Sequence, residues 1–158
     1  MCPKKHSQPP PSADPAPKPH GRAFVVYDIL RTASYLRRSN AEIFEQQGIT
    51  FQQYNVVRIL RGAGPSGLPT LEIARRMIDE TPGITRLLDR LEAKKLIRRE
   101  RPANNRRQVI CFATQKGLNL LEELDAPIRA HTRASAQHLR DAEVERLLDY
   151  LARIRKED

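Results

Sequence analysis

The 158-residue sequence predicts a mainly α-helical protein with one small β-sheet, an α+β fold. Apolar residues recur at intervals of three and four along most of the chain, which is the spacing of amphipathic helices. The stretch from Val109 to Phe112 is instead β-prone and follows a basic turn, which indicates a pair of short strands. At 39% hydrophobic and 30% charged residues, the composition fits one globular domain with a sizeable core.

The N-terminal residues 1–22 are predicted to lie outside this domain. Seven of the twelve prolines occur there, and the segment has no apolar periodicity. Such a segment buries too little apolar surface to offset the entropy lost on ordering. We therefore expect a disordered, proline-rich tail followed by a single domain over residues 23–158.

Three helices are predicted before residue 80. The first runs from Phe24 to Gln47 and ends at Gly48, and Thr50 caps the second. Thr70 is expected to cap a short third helix. The residues expected to face the core are Phe51, Tyr54, Val57 and Leu60 in the second helix, and Leu71, Ala74 and Met77 in the third.

The stretch from Thr81 to Val109 carries most of the excess charge. Its nine basic and three acidic side chains give +6, of +9 for the whole chain. A helix is predicted to begin with Thr81 as cap and Pro82 as first residue and to end at Leu96 and Ile97. Four apolar residues form one face of it, Ile84, Leu87, Leu88 and Leu91. Arg86 and Arg90 lie on the opposite face.

This helix follows the third after only Ile78–Glu80, a connection of helix-turn-helix length. A turn from Pro102 to Asn105, two arginines and a strand come after it. A charged helix followed by a basic hairpin is typical of a recognition helix and its wing. We therefore predict a winged helix-turn-helix lobe over residues 50–113.

Two further helices are predicted after the wing. Thr114 should cap the fifth, which Pro127 should kink or interrupt before it resumes through about His138, and Asp141 should cap the sixth. The sixth carries the apolar stripe Val144, Leu147, Leu148, Leu151 and Ile154. We favour a subunit interface for this stripe over packing within one chain, because two-fold dimers are the commonest oligomers. Residues 23–48 and 115–158 would then form a helical dimerisation lobe.

The net charge of +9 and the pI of about 10.1 predict an anionic partner, with nucleic acid as the first candidate and an anionic membrane surface as the second. No apolar run approaches the roughly 18 residues of a spanning helix. No apolar segment of a secretory signal follows the basic N-terminus. We therefore expect a cytoplasmic, nucleoid-associated protein without a membrane partner.

No enzyme, metal or cofactor site is expected. The histidines and cysteines are not spaced as metal ligands, and no nucleophile accompanies Asp125 and His131. The two cysteines form no disulfide framework. Cys111 is interpreted as a small core residue, and Cys2 has no structured environment that would activate it, so a redox switch is the less favoured hypothesis.

Three segments resemble the MarR family of bacterial transcriptional regulators, namely LEIARRM, PGITRLLDRLEAKKLI and NNRRQVICFATQKG. The resemblance extends from Phe24 to about Lys156. Three positions depart from the family pattern. Asn105 replaces the usual acidic residue of the wing, Ile78 replaces a common turn glycine, and Lys95 stands where the recognition helix often ends in glycine. That helix end must then find another geometry or accept strain.

The resemblance implies a homodimer in which the first, fifth and sixth helices interlock. Its recognition helices would enter successive major grooves of a pseudo-palindromic double-stranded operator, with half-sites about one helical turn, ~10 bp, apart. Such proteins usually repress nearby genes. Many are released by small aromatic acids and others by oxidation of a cysteine.

Arg86 and Arg90 are the leading candidates for contacts to bases, because arginine grips guanine O6 and N7 with two hydrogen bonds. Arginine in the wing fits a narrow minor groove. A solvated basic surface is the alternative to this interpretation. The full predicted DNA-binding set is Thr81, Pro82, Gly83, Thr85, Arg86, Arg90, Arg106 and Arg107. In the family, the second wing arginine commonly enters the minor groove, which maps to Arg107.

An effector site is suggested on the first helix. Tyr27, Arg31, Tyr35 and Arg38 could bind an aromatic carboxylate by stacking and ion pairing. Surface exposure without a ligand is the alternative. In the family, the effector pocket lies between the DNA-binding lobe and the dimer helices.

The favoured function is a dimeric, sequence-specific repressor released by a small molecule. A sequence-tolerant architectural DNA-binding protein is one alternative. A winged-helix module that binds an acidic protein is another. Operator preference at physiological salt distinguishes them, because nonspecific binding lacks a preference of ~10³-fold or more.

Overall fold

The computed structural model describes residues 21–78, 83–102, 105 and 108–156, with the backbone alone at Ala23. Six α-helices lie in this part of the chain, α1 (Arg22–Gln46), α2 (Phe51–Ala63), α3 (Thr70–Arg76), α4 (Ile84–Ala93), α5 (Gln115–Ala136) and α6 (Asp141–Arg155). Three strands accompany them, β1 (Leu68–Pro69), β2 (Ile97–Glu100) and β3 (Ile110–Ala113). The predicted α+β class is therefore confirmed. Of the tail predicted over residues 1–22, residues 1–20 lie outside the described residues, and Arg22 is the first residue of α1.

The chain divides into two compact units, of which the structure describes residues 21–34 and, with the gaps given above, residues 35–156. In the first, the N-terminal part of α1 begins where the Phe24 amide donates to the Gly21 carbonyl, and most of its described side chains are exposed. The second contains the rest of the helices and the sheet.

A three-stranded antiparallel sheet in the order β1-β3-β2 organises the second unit. Ile97 pairs with Ala113 and Leu68 with Cys111. The fully buried side chains come from α2, α3, α4, the sheet and the first half of α5, and they include Val56, Val57, Leu60, Ile73, Leu88, Leu91, Ile97, Leu121 and Leu124. The core therefore lies between the helix-turn-helix, the sheet and the start of α5.

Local sequence explains two of the helix starts. The Thr50 hydroxyl accepts a hydrogen bond from the Gln53 backbone amide, and the Gln53 side-chain oxygen accepts one from the Thr50 backbone amide. This reciprocal cap begins α2. The Thr114 hydroxyl accepts from the Gly117 amide at the start of α5. A side chain at Gly117 would collide with the Leu96 carbonyl, so only glycine lets α5 approach the turn between α4 and β2 this closely.

The third helix differs from its prediction in two respects. Its N-cap is Pro69, and Thr70 is its first residue. Strand pairing of β1 with β3 continues to Pro69, and the Thr70 backbone amide donates to the Val109 carbonyl at 3.3 Å. Leu71 is 73% exposed and not inward-facing, whereas Ile73 is fully buried.

The fourth helix is shorter than predicted. Thr81 and Pro82, its predicted cap and first residue, lie outside the described residues, and α4 begins at Ile84 after Gly83. It ends at Ala93, so the prediction that Ile97 ends it is wrong. Pairing with β3 places Ile97 in a strand instead. Between them, Lys95 adopts the left-handed conformation with φ +59°, the strained helix end expected where glycine is absent.

The last two helices also differ in detail. Pro127 was predicted to kink or interrupt α5, and because the helix continues through it to Ala136 an interruption is excluded. A proline removes one helical hydrogen bond, and Leu121 and Leu124 hold the preceding turns in the core. The N-cap of α6 is Arg140, one residue before the predicted cap Asp141, which is instead the first helical residue. The Glu143 side chain accepts a hydrogen bond from the Arg140 backbone amide at this cap.

Candidate nucleic-acid interface

Helix α4 has one buried and one exposed face. Leu87, Leu88 and Leu91 are buried, and Ile84 is half-buried against the same core. Their spacing places Arg86 and Arg90 on the other face, where both are exposed. The arginine face is therefore available to a partner, as the sequence predicted. Contact of these side chains with DNA stays a prediction.

The start of α4 suits an anion. Gly83 is its N-cap, is exposed, and has φ +88°, a conformation that glycine adopts without strain. Because the cap is a glycine, it has no side chain that could accept hydrogen bonds from the first amides of the helix. The first amides of a helix attract negative charge when they lack such a partner. Thr85 is exposed on the first turn beside them, and the other two predicted residues of this end, Thr81 and Pro82, are not described.

An ion-pair cluster joins α4 to the wing, and sequence reasoning missed it. Arg99 on β2 donates from Nη2 to Asp89 Oδ1 at 2.7 Å and to Glu92 Oε2 at 2.5 Å. Its Nε also donates to Glu92 Oε2, at 2.9 Å. Asp89 and Glu92 lie three residues apart on α4, so both carboxylates face the same strand. That spacing predicts two carboxylates on one face of α4, but it does not identify Arg99 as their partner.

The pairing of Arg99 with Glu92 shifts the pKa of both groups. The hydrogen bond from Arg99 lowers the pKa of Glu92, and the hydrogen bond to Glu92 raises the pKa of Arg99. The Arg99 charge is thus neutralised within the protein. Arg99 counts toward the net charge of the basic stretch, but two carboxylates hold it and only 24% of its side chain is exposed.

The wing is the β2–β3 hairpin. At its base, Arg98 pairs with Glu100, and its guanidinium lies 4.0 Å above the centre of the Phe112 ring. Toward the tip of the hairpin, the Asn105 backbone amide donates a hydrogen bond to the Pro102 carbonyl at 3.1 Å, and the Asn105 residue is exposed. Arg106 and Arg107, the predicted minor-groove contacts, lie outside the described residues.

The four candidate effector residues are exposed along α1. Tyr27 is 70% and Tyr35 61% exposed, and Arg31 and Arg38 are exposed as well. Tyr27 and Arg31 belong to the first compact unit and Tyr35 and Arg38 to the second. Ligand binding by these side chains stays a prediction.

Cys111 is fully buried in β3, as expected for a core residue. Burial raises the pKa of its thiol, which disfavours the reactive thiolate. Within the described ranges, no group of three or more histidine, cysteine or acidic residues could hold a metal ion. No helix in the same ranges has the length and apolar character needed to cross a membrane.

Two short helices, α3 and α4, pack on one core with a β-hairpin after them, and the second helix exposes arginines. This arrangement defines a winged helix-turn-helix protein. The model of the MarR family matches residues 49–109, which span α2 to the wing. The chain belongs to the MarR family of transcriptional regulators, as its sequence motifs indicated.

Relatives support this assignment over most of the chain. The HTH-type transcriptional regulator TtmR of Methylorubrum extorquens (strain PA1) is 32% identical over 84% of this chain. The match covers 66% of TtmR, so the chain spans just under two thirds of that relative. The crystal structure of a MarR transcription factor from Planctomyces limnophilus is 35% identical, with a TM-score of 0.66, and the match covers 85% of this chain and 98% of the other.

Two further solved structures contain bound molecules. NadR in complex with 4-hydroxyphenylacetate is 26% identical, with a TM-score of 0.68 and coverage of 92% of this chain and 100% of NadR. The MepR–DNA complex of S. aureus is 22% identical, with a TM-score of 0.76 and coverage of 89% and 100%. At this identity, the likeness to MepR concerns the fold alone.

Proposed function

We propose that this protein is a sequence-specific DNA-binding repressor that acts as a homodimer and is released from its operator by a small aromatic acid. One observation carries the DNA-binding part. The apolar face of α4 is buried while Arg86 and Arg90 are exposed on its other face. A helix held in this way offers guanidinium groups to base edges without exposing its apolar residues.

The proposed interface has two parts with different roles. Arg86 and Arg90 read guanines in the major groove, while Gly83 and Thr85 at the helix start bind a phosphate. Arg106 and Arg107 of the wing enter the adjacent minor groove, with Arg107 the leading contact. The Arg99 cluster fixes the base of the wing to α4, so the two parts keep one relative position.

The homodimer is supported by apolar surface that the described part of one chain leaves uncovered. α6 has no buried residue, and Leu148 is 61% exposed. In α5 the buried residues Gly117, Leu121 and Leu124 all lie in the first half. A large apolar face of this kind indicates a protein interface. We assign residues 23–48 and 115–158 to a dimerisation lobe and residues 50–113 to the DNA-binding lobe of one domain, 23–158.

An aromatic acid is proposed as the effector because NadR, whose structure contains 4-hydroxyphenylacetate, is similar to this chain over nearly its whole length. Tyr27 and Tyr35 would stack on the ring, and Arg31 and Arg38 would pair with the carboxylate. Residence in the cytoplasm, at the nucleoid, follows from DNA as the partner.

The test is selection of bound sequences from a random DNA duplex pool at physiological salt, repeated with 4-hydroxyphenylacetate present. The proposal predicts enrichment of a pseudo-palindrome with half-sites ~10 bp apart and its loss when the acid is added. Binding without enrichment would indicate an architectural protein. Failure to bind duplex DNA at all would favour a module for acidic proteins.

A further inference from the structure

The exposed face of α4 carries a carboxylate beside its arginines. At about 100° per residue, Arg86 and Asp89 lie on either side of the line directly opposite the buried leucines. Side chains three residues apart on a helix are neighbours. The Asp89 side chain is 53% exposed. A partner that contacts Arg86 therefore meets Asp89 as well, although Asp89 is not in the predicted DNA-binding set.

A carboxylate next to DNA requires compensation, because each phosphate of the duplex is negative. Arg99 supplies it, since its Nη2 lies 2.7 Å from Oδ1 of Asp89. Arg99 is itself held by Glu92, so the Asp89 carboxylate is oriented from the side of the wing. Among the described residues only Oδ1 has such a partner. Oδ2 therefore keeps its lone pairs for a donor outside the chain.

The edges of the bases in the major groove determine which donor fits. Guanine presents the acceptors N7 and O6 there, and thymine presents the acceptor O4. Adenine places the acceptor N7 beside its N6 amino group, whereas cytosine presents the N4 amino group alone. An ionised carboxylate only accepts hydrogen bonds, so cytosine suits it best and guanine and thymine repel it.

We propose that Asp89 determines sequence specificity by accepting a hydrogen bond from cytosine N4 through Oδ2, while Arg99 positions it through Oδ1. This inference rests on the proposed function, because it names a base that the recognition helix reads. Neighbouring side chains of a helix are separated by about 5–6 Å and base steps by about 3.4 Å. The cytosine should therefore lie in the same base pair as the guanine read by Arg86, or in the next one.

The experiment is selection of bound duplexes from a random pool by the full-length protein and its Asp89 variants. The position that Arg86→Ala relaxes identifies the guanine, and the unchanged protein should enrich cytosine within one base pair of it. Asp89→Asn should shift this preference to adenine, because a carboxamide pairs with adenine N6 and N7. Asp89→Ala should abolish it. Fluorescence anisotropy with matched duplexes should show about a tenfold loss of discrimination, the usual effect of one base contact.

Two controls separate base reading from a structural role. Asp149→Asn alters an exposed aspartate of α6 and should keep the cytosine preference. Glu92→Gln removes the other carboxylate that pairs with Arg99, but Glu92 lies nearer the buried face of α4. The cytosine preference should persist in this variant, whatever happens to its stability. Loss of the preference in Glu92→Gln would overturn the proposal, because the position of the wing would then explain the effect.

The remaining outcomes distinguish this inference from the proposed function. An enriched operator without the cytosine, or one whose cytosine is retained by both Asp89 variants, would contradict the role of Asp89 alone. If the unchanged protein enriches no sequence, sequence-specific binding fails, and the role of Asp89 fails with it. A change from cytosine to adenine in Asp89→Asn supports direct reading, because a loosened wing would not create a new preference.

Discussion

Helices α4 and α6 both carry an apolar stripe at helical spacing, but only one stripe is covered by its own chain. In α4, Leu88 is 1% and Leu91 0% exposed. In α6, Leu147, Leu148 and Ile154 are between 44% and 61% exposed. The two stripes therefore differ in how far they are covered. The first packs on α3 and β2, whereas the described part of the chain leaves most of the second exposed.

The difference has a consequence for how each helix is stabilised. Packing of α4 contributes to the folding of each chain, so its orientation, and with it the position of Arg86 and Arg90, is fixed without a partner. The packing proposed for α6 depends on protein concentration, because association supplies it. Substitutions in the two stripes should therefore give separable results.

The largest effect is expected from Leu91→Ala. Removing most of a fully buried leucine leaves a cavity and should lower the free energy of unfolding by about 2–5 kcal/mol. Urea denaturation followed by circular dichroism measures this loss, with exposed Leu71→Ala as the matched control. A loss under 1 kcal/mol would contradict the packing of α4 described above.

Leu148→Glu in α6 should affect association of the chains and not the folding of each chain. A charge in the proposed interface should raise the dimer dissociation constant at least about 30-fold, the effect of losing a strongly contributing interface residue. Sedimentation equilibrium measures the change, and circular dichroism should show an unaltered helix content. Glu145→Gln on the same helix is the control. A native protein that is monomeric at micromolar concentration would remove the basis for this prediction.

A smaller effect, on binding alone, is expected from Arg86→Ala on the exposed face of α4. Loss of a two-pronged contact to guanine should weaken operator binding by about 1–3 kcal/mol and relax the preference at one position per half-site. Fluorescence anisotropy with labelled duplexes measures both. Arg153→Ala, which removes an exposed arginine of α6, should leave affinity unaltered. Equal losses on all duplexes would show that Arg86 contacts only phosphates.

The regular elements were predictable because their signals are local. The stripe of α4 and the caps Thr50 and Thr114 depend on residues within a turn or two of one another. Features decided by distant residues were missed. Pro69 and not Thr70 is the cap of α3, because β1 pairs with β3 directly before this helix, and Ile97 lies in a strand because it pairs with Ala113. Neither partner can be deduced from periodicity.

The features of the candidate site also differ in whether local sequence predicts them. The exposure of Arg86 and Arg90 followed from the spacing of the leucines around them. The neutralisation of Arg99 did not, because it requires β2 to lie against α4. A count of basic residues along the chain treats all of them as equal, whereas the fold separates those that face outward from one that holds the wing in place.

The smallest effect is expected from a substitution in the ion-pair cluster of Arg99, Asp89 and Glu92. The pH dependence of this effect distinguishes a loss of charge from a loss of packing. Glu92→Gln should lower the free energy of unfolding at pH 7 by no more than about 1 kcal/mol, because the Glu92 side chain is 39% exposed and solvent screens the pair. Since Arg99 lowers the pKa of Glu92, the contribution of this carboxylate is present above its ordinary value of 4.5 and disappears as the pH falls through the lowered one. The native protein and the variant should then become equally stable in acid. Urea denaturation from pH 7 to pH 3 measures the free energy of unfolding of both proteins, with Glu122→Gln on α5 as the control. A difference in this free energy that persists unaltered to pH 3 would mean that packing, not charge, joins α4 to the wing.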